Sequence, residues 1–385
     1  MNSGKICTQT GAVLEIKQSS TVYTPTIEDP SPELTYPRII RLEHSNAANG
    51  TLLATAESLH VSAYLIHRST DNGLTWKRVG EIRSHLPDRI ANWQPMLYEL
   101  PVAVGDLPAG TILLAGCIRN RPTDETAMCI YKSSDLGENW EYLTTVAEGG
   151  GFSRTGGLST GLWEPFLLCD DSGKLYCFYS DELDAEHHSQ MLVYRVSTDG
   201  VNWSETHRIT ACKEQHLRPG MITVTRMGDG RYFLAYEMVG IHSNPVYYKT
   251  TYDLADWGDP ADHGIRILTP EGKGVGSTPY CCWLPAGGEQ GTLVVTGKNL
   301  SGTGTSRTGT DWLLSFDYGK TWEAVDNPLP YDPTVSRFRY AYSPGMFAAE
   351  DGETLYYVND INCPEVPEKA KIQLAIIRVT PAKSL

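Results

Sequence analysis

The sequence lacks the features that place a protein in a membrane or on nucleic acid. Its 385 residues contain no apolar run near the roughly 18–20 residues that a membrane-spanning helix needs. Basic clusters are also missing, and 46 acidic against 32 basic side chains give a net charge of −14. This balance disfavours nucleic acid and anionic membranes as partners. Nothing in the sequence indicates an obligatory protein partner, so we expect none.

Cysteine pairs with metal or disulfide spacing are missing as well. There is no CxxC, and the nine cysteines are odd in number, so we expect reduced, structural thiols. The opening segment MNSGKICTQTGAVLEIKQ has no basic start followed by an apolar core, the pattern of a signal peptide. These features predict a cytoplasmic protein, or a secreted one if a leader has been removed.

Several catalytic signatures are also missing. The sequence has no glycine-rich phosphate loop and no G-x-S-x-G elbow, and His187 and His188 have no metal-ligand spacing around them. We therefore predict no cofactor and no catalytic metal.

What the sequence does contain is a repeat of about 64 residues. Its copies are Ser69–Trp76, Ser133–Trp140, Ser315–Trp322, the shorter Ser197–Trp203 and a degenerate Thr251–Trp257. Their successive aspartates are 64, 64, 54 and 64 residues apart. In each copy Asp can accept backbone N–H bonds, Gly permits positive φ and Trp packs the turn onto a strand. We therefore interpret these aspartates as structural. The pattern is the Asp-box (BNR repeat) signature, and it resembles sialidase-like propellers.

A second repeated unit supports an all-β fold. Six segments each open at a proline and continue as a strand, a glycine-containing turn and another strand; they begin at Pro37, Pro95, Pro165, Pro219, Pro279 and Pro344. Short apolar strands at regular spacing indicate a repeat architecture. We predict a single domain over residues 1–385: a six-bladed β-propeller with four antiparallel strands per blade. The sixth blade has no Asp box, so we expect the N-terminal strand near Val13–Lys17 to complete it and close the ring.

Polar residues recur at equivalent blade positions and predict a functional mouth on the central channel. Those before the prolines are Tyr36, Gln94, Glu164, Arg218, Thr278 and Ser343. Those ending the second strands are Glu57, Arg119, Asp181 with Glu182, Glu237, Lys298 with Asn299, and Asn359 with Asp360. A structural repeat needs no charge at these positions.

Two of these carboxylates, Glu164 and Glu237, come from neighbouring blades and can face each other across the channel. Glycoside hydrolysis uses such a pair: one protonates the leaving oxygen, and the other attacks or activates water. Five aromatic residues at blade ends could stack on sugar faces or pack in the core: Trp93, Trp163, Tyr179, Tyr236 and Tyr342.

Four motifs narrow the assignment: Trp163-Glu164-Pro165-Phe166, Tyr179-Ser180-Asp181-Glu182, Arg218-Pro219-Gly220-Met221 and Tyr236-Glu237. Together they resemble glycoside hydrolase family 93, the exo-1,5-α-L-arabinanases, over essentially the whole chain. The resemblance implies a carbohydrate substrate and a retaining enzyme that releases arabinobiose from arabinan ends. It also implies Glu164 and Glu237 as the catalytic pair. The candidate substrate-binding residues are Arg38, Trp93, Gln94, Trp163, Asp181, Glu182, Arg218 and Tyr342.

The roles of the two glutamates are less directly indicated. An apolar ring beside a carboxyl raises its pKa, so Trp163 favours Glu164 as the acid/base and Glu237 as the nucleophile. Well-known members of the family are secreted fungal proteins. Because no signal is visible here, we expect an intracellular enzyme that acts on short imported oligosaccharides.

Two alternatives stay open at this point. An exo-sialidase would need an arginine cluster, available from Arg38, Arg218 and Arg337 or Arg339, and a nucleophile such as Tyr342. That alternative leaves the W-E-P motif unexplained. A non-catalytic binding propeller predicts a blocked or apolar channel mouth.

Overall fold

The computed structural model describes residues 4–26, 34–58, 61–120, 123–151, 158–301, 311–330, 341–366 and 369–381. The first two strands are β1 (Lys5–Cys7) and β2 (Val13–Tyr23). Blade 1 consists of β3 (Leu34–Arg41), β4 (Leu52–Ser58), β5 (Ala63–Ser69) and β6 (Lys77–Arg83). Blade 2 consists of β7 (Arg89–Glu99), β8 (Ile112–Asn120), β9 (Glu125–Ser133) and β10 (Glu141–Gly151).

The next two blades repeat the same up-and-down order. Blade 3 consists of β11 (Leu162–Cys169), β12 (Leu175–Asp181), β13 (Met191–Ser197) and β14 (His207–Ala211). Blade 4 consists of β15 (Arg218–Arg226), β16 (Tyr232–Val239), β17 (Val246–Thr251) and β18 (Ile265–Arg266).

A short two-stranded sheet precedes blade 5; it pairs β19 (Gly274–Gly276) with β22 (Asn299–Ser301). Blade 5 consists of β20 (Tyr280–Leu284), β21 (Thr292–Thr296), β23 (Asp311–Ser315) and β24 (Glu323–Asp326). Blade 6 contains β25 (Gly345–Ala348), β26 (Thr354–Asn362) and β27 (Ala370–Thr380). Helical structure in the described ranges is limited to the 3-10 turn Asn46–Ala48. No helix in these ranges is long and apolar enough to cross a membrane.

The N-terminal strand closes the ring, as the missing sixth Asp box predicts. β2 pairs antiparallel with β27, with Val13 opposite Thr380 and Tyr23 opposite Ile372. β1 then pairs with β2, so this sheet has five strands where four were predicted. All other blades have four strands, and the six-bladed all-β propeller is confirmed.

The Asp boxes form the turns that the sequence predicts. Asp71 Oδ1 accepts the Ser69 hydroxyl at 2.7 Å and the Thr75 N–H at 2.9 Å, and its Oδ2 accepts the Thr75 hydroxyl at 2.6 Å. These donors, led by the Thr75 hydroxyl, lower the pKa of Asp71 to about 2. Gly73 lies at φ +81°, so its N–H reaches the Ser69 oxygen at 2.8 Å. The boxes around Asp135, Asp199 and Asp317 share this pattern, which supports a structural role.

The first strands of the six blades surround a central channel. A cavity of about 320 Å³ inside it is lined by residues of β3, β7, β11, β15, β20 and β25. Arg38, Phe166 and Tyr280 are among the lining residues, whereas neither Glu164 nor Glu237 is. The nine cysteines are all free thiols, and eight of them are buried.

Candidate active site

A β-bulge in the first strand of blades 1 to 4 shapes the candidate site. Strand pairing skips two residues after Thr35, Trp93, Trp163 and Gly220. The first skipped residue, here called the bulge residue, has a positive φ in every case: Tyr36, Gln94, Glu164 and Met221. In blades 1 to 3 the second skipped residue is a proline, whose missing N–H costs nothing where no ladder bond is made. These strands therefore begin before their prolines, and the prediction that they open at the proline is wrong there.

In blade 4 the bulge does not lie at the proline, so aligning the blades on their prolines misplaces its residues. Arg218 precedes Pro219, yet the register pairs Gly220 with Glu237, and the bulge follows Gly220. Met221 is therefore the residue equivalent to Glu164, and Arg218 lies three residues earlier, at the start of its strand. The bulge in blade 4 contains no proline, which is why the sequence pattern misplaced it.

The bulge residues connect each blade to the next. Because a positive φ turns the backbone N–H away from its own sheet, that N–H is available to a side chain of the preceding blade. Four such bonds are formed: Gln94 N–H to Glu57 Oε2 at 2.9 Å, Glu164 N–H to Gln94 Oε1 at 3.0 Å, Met221 N–H to Glu164 Oε2 at 2.9 Å, and Thr278 N–H to Glu237 Oε2 at 2.9 Å. Thr278 precedes Pro279 and also has a positive φ, +47°. Both candidate glutamates therefore bind the following blade.

Glu164 is held by three donors. The Tyr36 hydroxyl donates to Oε1 at 3.1 Å, while the Ser180 hydroxyl at 3.0 Å and the Met221 N–H at 2.9 Å donate to Oε2. Burial raises the pKa of Glu164, and these three donors, together with the charge of Arg218, oppose the rise. Hydrogen bonds to both oxygens favour the ionised form and fix its orientation.

Glu237 lies in a different electrostatic setting. Its side chain is buried, and Oε2 accepts the Thr278 N–H at 2.9 Å. Burial, followed by the negative charge of Glu164, raises the pKa of Glu237 to about 7, against the smaller opposing effects of Thr278 and Arg218. The sequence-predicted pair is thus brought together. Burial raises the pKa of both carboxyls, but three donors oppose the rise at Glu164, whereas the pKa of Glu237 reaches about 7.

Arg218 lies beside this pair and is itself held in place. It forms an ion pair with the buried carboxylate of Glu182 and donates to Gln190 Oε1 at 2.7 Å. The Ser159 hydroxyl also donates to Glu182. Asp181 is 2% exposed and accepts the Leu183 N–H at 2.7 Å, and burial raises its pKa. Arg218 is therefore positioned to affect both glutamates, whereas Asp181 shapes the loop that carries Glu182.

Two tryptophans form an aromatic surface next to Glu164. The rings of Trp93 and Trp163 lie 5.6 Å apart, and the Arg119 guanidinium lies 3.7 Å from the centroid of Trp93. The other aromatic candidates differ. Tyr179 and Tyr236 are fully buried, and their hydroxyls contact Thr206 and the His263 carbonyl. Their full burial supports the alternative that they pack in the core and leaves them no exposed face for a sugar.

Arg38 and Tyr342 lie against the same mouth from blades 1 and 6. Arg38 is 8% exposed, and its Nη1 donates to the carbonyls of Pro37 and Ser343 at 2.9 and 2.7 Å. Tyr342 is partly buried, 5.5 Å from the Tyr36 ring. A guanidinium bound to main-chain carbonyls does not present itself to a substrate carboxylate, which weakens the sialidase alternative. Arg337 and Arg339 lie outside the described residues.

The structure adds Tyr36, Ser180 and Met221 to the site as direct partners of Glu164. Ser180 and Met221 occur in the quoted motifs and Tyr36 precedes a blade proline, but their contacts with Glu164 join separate strands and have no signature along the chain. Within the described residues, no group of three or more His, Cys, Asp or Glu side chains could hold a metal ion.

Solved structures similar to this chain include arabinanases and arabinofuranosidases. An α-L-arabinanase of Penicillium chrysogenum, complexed with arabinobiose, has 27% sequence identity and a TM-score of 0.81 over 94% of this chain and 98% of that chain. A Fusarium graminearum α-L-arabinofuranosidase in complex with an iminosugar inhibitor has 28% identity and a TM-score of 0.81, with the same coverage. Its arabinobiose complex, described as GH93, has 27% identity and a TM-score of 0.80.

A more distant similarity shows the fold alone. The Hadza microbial sialidase Hz136 has 14% identity and a TM-score of 0.60 over 94% of this chain and 68% of that chain. No family profile and no curated protein sequence matched this chain. The predicted resemblance to family 93 is confirmed by the structural neighbours.

Proposed function

We propose that this chain, a glycoside hydrolase that resembles family 93 in fold and motifs, cleaves α-1,5-linked L-arabinofuranosyl oligosaccharides or arabinan ends. We further propose that it is exo-acting and retaining, and that it releases arabinobiose. Two observations support the proposal. Arabinanases and arabinofuranosidases share the fold at 27–28% identity, and two buried carboxyls lie close enough for the charge of Glu164 to raise the pKa of Glu237.

In this proposal Glu164 is the nucleophile and Glu237 the acid/base, which reverses the roles that Trp163 favoured. The contrast between the two carboxyls carries the assignment. Glu164 receives three hydrogen-bond donors, as an ionised nucleophile requires. Glu237 has a pKa of about 7, so it can both give and accept a proton near neutrality.

The reaction then takes two steps. In the first, a Glu164 oxygen attacks the anomeric carbon while Glu237 gives its proton to the departing glycosidic oxygen, forming a glycosyl ester and releasing the shortened glycan. In the second, Glu237, now ionised, takes a proton from water, and the hydroxide adds to the anomeric carbon and displaces Glu164. Retaining enzymes place these carboxyls roughly 5–5.5 Å apart.

The charges around the pair change during this cycle. When Glu164 becomes an ester it loses its negative charge, which is one of the causes of the raised pKa of Glu237. The pKa of Glu237 therefore falls in the intermediate, where it must act as a base. Arg218, which lowers the pKa of both carboxyls, is held nearby by Glu182 and Gln190. The Trp93 and Trp163 rings supply an apolar surface for a furanose ring.

Product analysis on a panel of α-1,5-arabino-oligosaccharides tests the proposal, with a sialic acid glycoside as the competing substrate. We expect arabinobiose from each longer oligosaccharide and no release of sialic acid. Glu164→Gln and Glu237→Gln should each lower turnover by at least about 10²-fold. Glu99→Gln is the matched control. Glu99 is also a buried glutamate with three donors, from Glu43, His44 and Ser45. It lines the cavity of the central channel, which neither Glu164 nor Glu237 lines, so its loss should not affect the catalytic pair. Hydrolysis of the sialoside alone, or full activity in either site variant, would reject the proposal.

A further inference from the structure

Tyr36 binds the oxygen of Glu164 to which Ser180 and Met221 do not donate. Its hydroxyl lies 3.1 Å from Oε1, whereas Ser180 and Met221 both donate to Oε2. Each oxygen of the carboxylate therefore has its own donors: Oε1 is bound from blade 1, and Oε2 is bound from blades 3 and 4. A carboxylate bound at one oxygen can still rotate about its last side-chain torsion, and the bond from Tyr36 opposes this rotation.

The position of Tyr36 is itself fixed. Tyr36 is 5% exposed and lies at φ +48° in the bulge before Pro37, where its N–H donates to the Tyr342 carbonyl at 2.9 Å. Its ring lies 5.5 Å from the Tyr342 ring and 5.6 Å from the Arg38 guanidinium carbon. The phenol oxygen is thus held by backbone geometry and by packing on two sides.

Gln94 determines the direction of the Tyr36 hydroxyl. Because Gln94 Oε1 accepts the Glu164 N–H at 3.0 Å, its amide nitrogen is the atom that faces Tyr36, at 3.5 Å from the phenol oxygen. An amide nitrogen can only donate, so Gln94 does not compete for the proton that the Tyr36 hydroxyl donates to Glu164. Gln94 is held in turn by Glu57, which accepts the Gln94 N–H at 2.9 Å.

We propose that Tyr36 is a positioning residue for catalysis, whose hydroxyl, directed by Gln94, keeps the Glu164 carboxylate ionised and aligned for attack. The inference rests on the nucleophile role proposed above for Glu164. Burial, followed by the charge of Glu164, raises the pKa of Tyr36 well above its usual value, so the hydroxyl stays protonated across the working pH range. The same hydrogen bond stabilises the carboxylate when it leaves the sugar in the second step.

Tyr36→Phe removes the hydroxyl and keeps the ring. We expect kcat to fall about 10- to 100-fold with KM changed less than about twofold, because the lost bond acts on the nucleophile. The acid limb of the kcat/KM profile should move up by roughly one to two pH units, since an ionised carboxyl that loses a donor becomes a weaker acid. Gln94→Met should shift the limb in the same direction by a smaller amount.

Tyr194→Phe is the matched control. Tyr194 is also buried and lies on β13, and its hydroxyl donates to the Ala255 carbonyl at 2.9 Å instead of to a glutamate. We expect this variant to keep the parent's pH profile even if it loses some stability. Thermal unfolding of all three variants separates a folding defect from a positioning defect.

A readout that needs no substrate separates this inference from the proposed function. The Glu164 carboxyl can be followed by infrared difference spectroscopy, as the titrating signal lost in Glu164→Gln. In Tyr36→Phe its midpoint should rise by about one to two pH units, and in Tyr194→Phe it should not move. A folded Tyr36→Phe protein with the parent's midpoint overturns the inference, whatever sugar the enzyme hydrolyses. If the midpoint shifts but the parent enzyme does not hydrolyse arabinosides, only the proposed substrate is rejected.

Discussion

The carboxylate of Glu164 accepts the backbone N–H of Met221 at 2.9 Å, and Met221 belongs to the next blade. Glu237 repeats this relationship one blade later, with Thr278 as the donor. Each candidate catalytic group is therefore also part of the contact between two blades. Substitution of either glutamate should therefore weaken the contact between two blades as well as lower the rate of hydrolysis. Stability and activity must be measured separately.

Glu237→Ala should be less stable than Glu237→Gln. The alanine variant leaves the buried N–H of Thr278 without its acceptor, at a cost of about 1–3 kcal/mol, whereas glutamine keeps an acceptor oxygen. Chemical denaturation of both variants measures the difference. Equal midpoints would show that the bond to Thr278 contributes nothing to stability.

Azide rescue should distinguish the roles of the two glutamates. With Glu237→Ala, azide attacks the glycosyl ester on Glu164 and should give a glycosyl azide with the substrate's anomeric configuration. With Glu164→Ala, azide takes the place of the nucleophile and should give the opposite configuration. NMR of the product from an activated aryl glycoside checks this. The reverse pattern would restore the roles that Trp163 favoured.

The kcat/KM profile of the parent should lose activity as pH rises through about 7, because Glu237 must be protonated to act as the acid. Arg218 lowers the pKa of Glu237, so Arg218→Gln should move this alkaline limb to higher pH. The profile is measured on an arabinoside whose hydrolysis depends on acid assistance. A limb that moves down, or stays in place, would contradict the assigned effect of Arg218.

Asp317→Ala should destabilise the protein and leave kcat unchanged. Asp317 accepts the Ser315 hydroxyl at 2.8 Å, the Thr321 N–H at 2.9 Å and the Thr321 hydroxyl at 2.6 Å, all within its Asp box. We expect a loss of about 1–3 kcal/mol. Although its partial burial acts to raise the pKa of Asp317, its hydrogen bonds give a net lowering. The stabilisation is therefore complete above the unfolded pKa near 4 and is lost as pH falls through the lower folded value. Unfolding at pH 7 and at pH 3 measures both effects, and lost turnover in a stable variant would refute a purely structural role.

Trp163→Ala should raise KM more than it lowers kcat. The Trp163 ring lies beside the Trp93 ring, and in the proposed function both contact the sugar. Its loss should therefore weaken substrate binding and leave the two carboxyls in place. Kinetics on arabinotriose and longer oligosaccharides provide the measurement. Trp257→Phe serves as the control, because Trp257 packs in an Asp-box turn and donates to the Leu254 carbonyl at 2.9 Å. A fall in kcat alone would place Trp163 in the chemical step instead.

The repeat made the fold predictable from the sequence. The Asp-box turns recur about every 64 residues, and the six proline-containing segments give the number of blades. Glu164 and Glu237 were also recognisable, because short motifs surround them. The contacts that Tyr36, Ser180 and Met221 make with Glu164 were not, because they depend on how strands and blades pack.

Blade 4 shows a second reason why sequence alone was insufficient. Its bulge follows Gly220 and includes no proline, so a proline-based alignment placed Arg218 where Met221 belongs. The pKa contrast between the two glutamates was equally hidden. It depends on donors from three blades and on the burial of Glu237, and neither is visible along the chain.

The pairing of β2 with β27 has a consequence for how the chain folds. Val13 and Thr380 are opposite one another in a single sheet, so among the strand pairs that the structure describes this one joins the residues farthest apart in sequence. During synthesis the other five blades can form in order, while this sheet must wait for the last strand to leave the ribosome. Loop-closure entropy makes such a contact slow to form. Joining the ends and opening the chain between two other blades should therefore change the order of folding and keep the same ring.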